Sequence, residues 1–283
     1  MRMAWSGCWL MLIASGSSAT GVGLDVNFYD DFEAPTPSVF RLGDLKLRDP
    51  HVFYNVPVGS FNICTDVTDV ATLGLNAQIA ASLIQDSDSN GTLDNSPLLV
   101  FRPLRADAHP ARLQSRAGDC SVATPRTCTP GVGAIDTRII ESFNVVAPTY
   151  CLEPIGGTTS SWGGGAAAVP RPTGLCYLSS EADLVLSAGG LPIPLFDAQY
   201  AAPLPNVLAD VGGGLMRGFL RESDAALVIV PINGTNQTLA SLLPGGVQSC
   251  KADVAGGKDT WLGQSGWWFY FEYRQDPVQA TGF

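Results

Sequence analysis

Residues 266–274 read Gly-Trp-Trp-Phe-Tyr-Phe-Glu-Tyr-Arg, and aromatic side chains fill most of these positions. Successive side chains of a β-strand point to opposite faces of its sheet, so alternate residues of this run share a face. One of the two faces is wholly aromatic: Trp267, Phe269, Phe271 and Tyr273. We predict a strand here, with this face packed in the hydrophobic core.

The opposite face of the same strand is mixed in character. It consists of Trp268, Tyr270, Glu272 and Arg274. Aromatic rings beside an acid and a base can stack on sugars or line a ligand groove. The alternative is a sheet surface that other segments half cover. We take these four residues as the candidate ligand-binding residues.

Other short runs along the chain carry the same β signal. They are β-branched or aromatic and are bounded by Gly, Pro, Asn or Asp: residues 52–56, 98–101, 139–146, 182–186 and 226–232. The Gly189-Gly190 pair lies between two apolar runs and predicts a two-residue hairpin turn. Short strands joined by tight turns predict a mainly β fold, either an antiparallel β-sandwich or a barrel-like sheet.

One helix is expected at about residues 68–84. Apolar residues recur there at helical spacing: Val70, Leu73, Ala77, Ala80 and Ile84. Leu75, Ile79 and Leu83 widen this apolar face until little polar surface remains. We therefore expect the helix to be buried against a sheet.

The N-terminus predicts export. Met1-Arg2-Met3 precedes a short apolar block from Ala4 to Ala14, and small residues follow as far as Ala19. This order is typical of a cleaved signal peptide at residues 1–19. The apolar block is shorter than the roughly 20 residues that span a bilayer, although a membrane anchor is the alternative. We expect a secreted, periplasmic or cell-surface protein whose mature chain has no membrane span.

Six of the seven cysteines follow this N-terminal segment, an even set that suits disulfides in an oxidising compartment. Proximity along the chain favours two pairs, Cys120 with Cys128 and Cys151 with Cys176, which leaves Cys64 to join Cys250 across the fold. Sequence alone leaves the other connectivities open. The rival interpretation is a metal site, but the chain has no Cys-x-x-Cys pair and no histidine near a cysteine.

Two stretches have the composition of linkers. Residues 103–133 are polar with scattered prolines, and residues 156–172 are rich in Gly, Ser, Thr and Ala. If the two local disulfides form, these stretches are long disulfide-clipped surface loops. We therefore expect residues 20–283 to form a single secreted β-rich domain. Two domains divided near residue 160 are the alternative.

The overall charge limits the class of partner. The chain has 26 acidic against 16 basic residues, for a formal net charge of -10. Such a surface repels phosphate backbones, so nucleic acid is not an expected partner. Arginine is common, whereas lysine occurs only at Lys46, Lys251 and Lys258, which suggests a GC-rich bacterial source.

Residues 86–94 read Asp-Ser-Asp-Ser-Asn-Gly-Thr-Leu-Asp, with oxygen-bearing groups at alternate positions around a glycine. Three of these groups are carboxylates, one is an amide and one is a backbone carbonyl. Calcium takes about six to eight oxygen ligands, and this pattern supplies most of them. We therefore predict a calcium site formed by Asp86, Asp88, Asn90, Thr92 and Asp94.

Over residues 86–97 this spacing resembles the calcium loop of an EF-hand, with Gly91 at its sharp turn. The resemblance implies a calcium cofactor. The twelfth position, where an EF-hand has a bidentate acid, is Pro97 here, and a predicted strand follows in place of the exit helix. No resemblance covers the whole chain. The interpretation that remains is a helix-loop-strand calcium turn completed by a distant acid; the alternative is a solvated turn whose aspartates bind their own backbone.

Signatures of the common hydrolases are absent from the sequence. The chain has neither a Gly-x-Ser-x-Gly motif nor a His-Glu-x-x-His motif. Paired carboxylates remain open, because a sequence does not give the distance between two acids. The candidates are Asp30, Asp31, Glu33, Asp183, Asp197 and Glu272.

Together these patterns predict a secreted or cell-surface β-rich protein, stabilised by calcium and disulfides, with a binding, adhesion or structural role and no enzymatic activity. Its expected ligand is an extracellular glycan or protein. The alternative is an extracellular hydrolase whose carboxylates converge on a cleft.

Overall fold

The aromatic run lies in one long strand of the computed structural model, Gln264–Pro277. The structure describes residues 37–71, 74–102, 112–131, 150–160, 165, 167–174, 176–204, 211–232, 234–253 and 257–283. Over these residues the fold is mainly β, as the sequence predicts. The predicted signal peptide lies outside them.

The elements follow in chain order. The strands are β1 (Ser38–Asp49), β2 (Phe53–Val58), β3 (Phe61–Asp66), β4 (Pro97–Arg102), β5 (Arg112–Cys120), β6 (Thr127–Pro130), β7 (Cys176–Leu178), β8 (Ala182–Ala188), β9 (Leu191–Pro203), β10 (Val211–Arg221), β11 (Ile229–Ile232), β12 (Thr235–Thr238), β13 (Asp259–Trp261), β14 (Gln264–Pro277) and β15 (Gln279–Ala280). The helices are α1 (Leu75–Ser82), α2 (Glu222–Ala225) and α3 (Leu239–Leu242).

Strand β14 is central to an 11-stranded sheet. It pairs antiparallel with β1 on one side and with β10 on the other, in the order β15-β6-β5-β4-β1-β14-β10-β9-β7. Strands β8 and β13 extend this sheet beside β9 and β14. The pairing of β15 with β6 is parallel, so the sheet is mixed. Strands from both sides of residue 160 therefore share one sheet.

The sheet curves until its two halves face each other. The ring of Phe101 on β4 packs edge-on against Tyr177 on β7, with centroids 4.9 Å apart. The hydroxyl groups of Ser115 on β5 and Tyr200 on β9 lie 3.1 Å apart. The predicted core face of β14 lies inside this curve, as part of the largest cluster of buried apolar residues. The curvature follows from the need to bury a face this aromatic.

Most of the predicted strands are present. The run at 52–56 lies in β2, that at 98–101 in β4 and that at 182–186 in β8. The run at 226–232 is strand only from Ile229, because the turn that ends α2 occupies the residues before it. The run at 139–146 lies outside the described residues. Gly189 and Gly190 form the predicted hairpin turn with φ values of 64° and 75°.

The predicted helix at 68–84 is too long. Helix α1 spans only Leu75–Ser82 and begins at the N-cap Gly74. Asp66 accepts hydrogen bonds from the backbone and hydroxyl of Thr68, which stabilises a turn where the sequence predicted helix. Val70 and Ile84 are exposed at 39% and 68%. The buried side is the one that carries Leu75 and Ile79.

The disulfides join the expected cysteine pairs: the two local ones, Cys120–Cys128 and Cys151–Cys176, and the remaining pair, Cys64–Cys250. The stretch 103–133 is not wholly a loop, because Arg112–Cys120 pairs with β4 and Thr127–Pro130 pairs with Arg112–Cys120 as strands. Its prolines and polar residues concealed that pairing. The Cys120–Cys128 bridge closes this hairpin, in which the two cysteines are cross-strand partners.

Candidate functional site

The predicted calcium loop connects the end of α1 to the start of β4. The amide of Leu93 donates to the carbonyl of Cys120 at 2.8 Å, and the amide of Val122 donates to the carbonyl of Gly91 at 3.0 Å. These bonds attach the loop to the hairpin that the Cys120–Cys128 disulfide closes. The order helix-loop-strand is the one the sequence predicted, and the chain leaves the loop at Pro97 as a strand.

Three carboxylates meet in this loop. Asp86, Asp88 and Asp94 each offer one oxygen atom, and these atoms lie within 4.8 Å of one another. Oxygen ligands bind calcium at about 2.3–2.6 Å, so two ligands of one ion are at most about 5 Å apart. The spacing of the three oxygens therefore suits a single calcium ion. Asp88 and Asp94 are exposed and Asp86 is half-buried, so an ion can reach the loop from solvent.

The same side chains also bind the backbone of the loop. Asp86 accepts from the amides of Asn90 and Gly91, both at 3.0 Å, and Asp94 accepts from the amide of Ser87 at 3.1 Å. The side-chain oxygen of Asn90 accepts from the amide of Thr92 at 2.7 Å. Gly91 has a φ of 82°, the sharp turn that the sequence required. The alternative interpretation, a turn stabilised by its own aspartates, accounts for these bonds as well.

The distant acid that the sequence analysis called for is not found in the part of the chain that the structure describes. The carboxylate group there consists of the three aspartates alone. Any further oxygen ligands would have to come from Asn90, from a backbone carbonyl such as that of Thr92, or from water.

The candidate ligand-binding face of β14 is covered at its aromatic end. Trp268 and Tyr270 are 2% and 0% exposed, within a second cluster of buried residues. The amide of Ile155 donates to the hydroxyl of Tyr270 at 3.0 Å. Burial raises the pKa of Tyr270 to about 12, although this hydrogen bond acts in the opposite direction. At these two residues the structure has the covered sheet surface that was the alternative to a ligand-binding face, because the segment that begins at Cys151 packs over them.

The other two residues of that face make local ion pairs. Glu272 pairs with Arg48 on the neighbouring strand β1, and Arg274 pairs with Asp276 on its own strand. Pairs that are this exposed contribute about 0–1 kcal/mol each to stability. They provide no groove.

Two of the six acidic residues considered for catalysis are hydrogen-bonded to each other. The amide of Asp197 donates to Oδ1 of Asp183 at 3.2 Å. Glu272 lies apart from them in its pair with Arg48, and Asp30, Asp31 and Glu33 lie outside the described residues.

Asp183 and Asp197 line a cleft of about 330 Å³. We call it the Trp261 cleft; its lining includes Asp183, Phe196, Asp197, Arg221, Trp261 and Leu262. It lies where the β8–β9 hairpin, the end of β10 and the β13–β14 turn meet. Small-molecule sites have volumes of about 300–1,000 Å³ and combine aromatic walls with a few polar groups, and this cleft has both properties.

Irregular pairing positions the two aspartates. From the Gly189-Gly190 turn, the register runs regularly to Leu184 opposite Leu195 and then shifts by one residue. Asp197 lies in the resulting bulge and has a φ of 49°. A regular hairpin already places Asp183 opposite Phe196, so counting from the predicted turn could have brought Asp183 and Asp197 close together. The bulge that turns Asp197 toward it has no signal in the sequence.

A second pair of acids is less accessible, with Asp49 buried and Asp259 half-buried. Asp49 accepts two bonds from the amide of Ser160 at 3.1 Å and one from its hydroxyl. Asp259 accepts from the amide of Trp268 at 2.9 Å. Burial raises the pKa of Asp49 and raises that of Asp259 to about 6. The cavity between them is about 10 Å³, which is about one water and no substrate.

Comparison with known proteins adds no assignment: no family model matches the chain, and no curated protein or solved structure does. Within the described residues, no helix combines the length and the apolar character needed to cross a membrane. The three disulfides are typical of proteins outside the reducing cytoplasm. The geometry of the loop and of the cleft is therefore the basis for function.

Proposed function

We propose that this protein is an exported, disulfide-bonded β-rich protein with a binding or structural role, and that calcium stabilises the loop at residues 86–94. The observation that carries the calcium proposal is the convergence of Asp86, Asp88 and Asp94, whose ligand atoms lie within 4.8 Å of one another. Asn90 and the carbonyl of Thr92 would add oxygens to the same ion.

The physical role of the ion follows from charge. Three carboxylates this close repel one another, so the loop alone is electrostatically unfavourable at neutral pH. A bound divalent cation replaces this repulsion with attraction between the ion and the three carboxylates. It thereby holds the end of α1, the start of β4 and the disulfide-closed hairpin in one arrangement. The disulfides and the predicted signal peptide support export to a compartment where calcium is abundant.

Titration calorimetry and thermal unfolding of the chelator-treated protein test the calcium site. Calcium at ten times its Kd is expected to add about 1.4 kcal/mol to the free energy of unfolding, which raises Tm by about 3–6 °C. Asp88→Asn together with Asp94→Asn removes two charged ligands and should abolish this rise. Asp119→Asn removes an exposed carboxylate that lies outside the cluster and should preserve it.

Magnesium serves as the cation control, because it demands a smaller and more strictly octahedral shell than calcium does. Absence of binding heat, together with an unchanged Tm in millimolar calcium, would show that the loop is a solvated turn.

The hydrolase alternative has one observation in its favour, the pairing of Asp183 with Asp197 in an accessible cleft. Incubation with glycan, peptide and ester substrates separates it from a binding role. Turnover that Asp183→Asn abolishes in a folded protein would establish an enzyme, whereas the proposed binding or structural role predicts no turnover.

A further inference from the structure

We propose that the Trp261 cleft binds a neutral sugar, as one terminal or internal residue of a glycan. This inference rests on the binding role proposed above and names its ligand class. The proposed site is distinct from the covered face at Trp268 and Tyr270.

The cleft has an aromatic wall that is held in place before any ligand arrives. Trp261 is half-buried, and its Nε1 donates to Oδ2 of Asp197 at 2.6 Å. The Trp261 ring also packs edge-on against Trp268, with centroids 5.0 Å apart. A sugar ring presents one face of C–H groups, and a fixed indole provides a matching apolar surface at little entropic cost.

The polar groups of the cleft suit hydroxyl donors. Asp183 uses Oδ1 for the amide of Asp197, and Asp197 uses Oδ2 for the indole of Trp261. Among the described residues, no hydrogen bond reaches the second oxygen of either carboxylate. Each of these oxygens can accept a sugar hydroxyl in a charge-assisted hydrogen bond, the stronger kind.

Charge narrows the ligand class to neutral molecules. The two carboxylates repel phosphate, sulfate and acidic sugars. A cationic ligand meets Arg221, whose guanidinium lies 3.8 Å above the ring of Phe196 and pairs with Asp224. A neutral polyol matches both signs, since its hydroxyls donate to the carboxylates and accept from the guanidinium.

The rim of the cleft departs from ordinary turn chemistry. Leu262 and Gly263 form the two-residue β13–β14 turn with φ values of 47° and 77°. Such turns favour Asn-Gly, and leucine at positive φ is strained. Leu262 is also 81% exposed, so burial in the fold does not offset this cost. An apolar contact between the Leu262 side chain and a bound ligand would account for a leucine at this strained, exposed position.

Calorimetric titration of the full-length protein in calcium-containing buffer tests the proposal. The neutral probes are lactose, maltotriose, cellotriose and mannotriose, each taken to about 10 mM so that a millimolar Kd is detected. Sialyllactose provides an anionic contrast and trilysine a cationic one. At least one neutral probe should bind, and its Kd should be at least about tenfold lower than that of either charged probe.

Three variants locate the binding in the cleft. Trp261→Ala removes the aromatic wall and Asp183→Asn removes a charged acceptor, and each should weaken binding by about tenfold. Leu262→Asn places in the turn a residue that tolerates positive φ, so it should weaken binding without lowering Tm. A loss of affinity in that variant cannot be attributed to unfolding.

Matched controls share the chemistry but not the location. Phe61→Ala removes an aromatic ring that is 74% exposed on the β2–β3 hairpin, and Asp253→Asn removes an exposed carboxylate. Both should leave the Kd within about twofold.

The proposal is overturned if no neutral probe binds, if trilysine or sialyllactose binds more tightly, or if the cleft variants behave like the controls. Calcium-dependent melting is measured on the same samples. If no sugar binds but calcium still raises Tm, only the sugar proposal fails. If a sugar binds but calcium leaves Tm unchanged, only the calcium proposal fails.

Discussion

At the scale of single residues, burial rather than sequence position decides the behaviour of several acids. Asp49 and Asp259 lie far apart in the chain, and both have a raised pKa because the fold removes them wholly or partly from water. Asp86, Asp88 and Asp94 lie within nine residues and remain near the surface. The two groups call for different tests, proton linkage for the first and metal linkage for the second.

The raised pKa of Asp259 predicts that this residue makes the protein more stable in mild acid than at neutral pH. Its pKa is raised from 3.8 to about 6 in the folded state, so the folded protein binds this proton more tightly than the unfolded chain does. The free energy of unfolding therefore falls as pH rises from about 4 through about 6. Asp49 acts in the same direction.

Asp259→Asn keeps an oxygen that can accept from the amide of Trp268 and removes the charge. After discounting for partial exposure, we expect the variant to be about 1 kcal/mol more stable than the parent at pH 7.5, or about 2–4 °C in Tm. The two proteins should converge at pH 4. The His51–Asp66 pair remains in both, so it cancels in the comparison. A constant difference in Tm between pH 4 and pH 7.5 would contradict this linkage.

At the scale of elements, the tip of the β8–β9 hairpin packs closely against helix α1. A Cβ atom on Gly189 would lie 3.3 Å from the backbone nitrogen of Ile79, whereas a Cβ on Gly190 would meet nothing within 4 Å. Both glycines have positive φ, so the turn demands them for conformation. At Gly189 the close packing against helix α1 also favours glycine.

This difference predicts unequal costs for two neighbouring substitutions. Gly190→Ala should lower the free energy of unfolding by about 1–2 kcal/mol, the cost of a left-handed alanine. Gly189→Ala should cost more, because α1 must also shift to admit the methyl group. Urea unfolding of both variants measures this, with Gly190→Asn as a control that tolerates positive φ. Equal losses would mean that the hairpin tip does not press on α1.

At the scale of the whole molecule, one disulfide attaches a peripheral hairpin to a segment that is distant in the sequence. Strands β2 and β3 form a separate two-stranded sheet. The Cys64–Cys250 disulfide joins β3 to the segment after α3, across 186 residues of sequence. A hydrogen bond of 3.2 Å between the hydroxyls of Tyr54 and Thr235 links the same hairpin to β12.

Replacing both Cys64 and Cys250 with serine should therefore cost about 2–4 kcal/mol of stability. Hydrogen exchange should rise first in residues 53–66, because the disulfide is a principal attachment of that hairpin. The matched control is the Cys120→Ser, Cys128→Ser double variant, whose bridge closes only a short hairpin and should cost less. Uniform loss of protection along the chain would count against a local role for the Cys64–Cys250 bridge.

How much the sequence predicted varies from element to element. The aromatic alternation of β14 and the Gly189-Gly190 turn were sufficient, because both signals are local. The helix boundary at Leu75 was not predictable from apolar spacing, since the bonds of Asp66 to Thr68 compete with the helix that the spacing favours. The strand Arg112–Cys120 escaped notice because its pairing with β4 is a tertiary contact.

The candidate sites divide in the same way. By itself the sequence determined the mainly β class, the two local cysteine pairs and the oxygen-bearing loop at residues 86–94, because each rests on periodicity or spacing along the chain. Tertiary structure alone decided that Trp268 and Tyr270 are covered and that Asp183 and Asp197 meet Trp261 at a cleft. It also decided that Asp49 is buried and Asp259 half-buried. Those outcomes depend on bulges, sheet curvature and packing between distant segments, which local sequence does not encode.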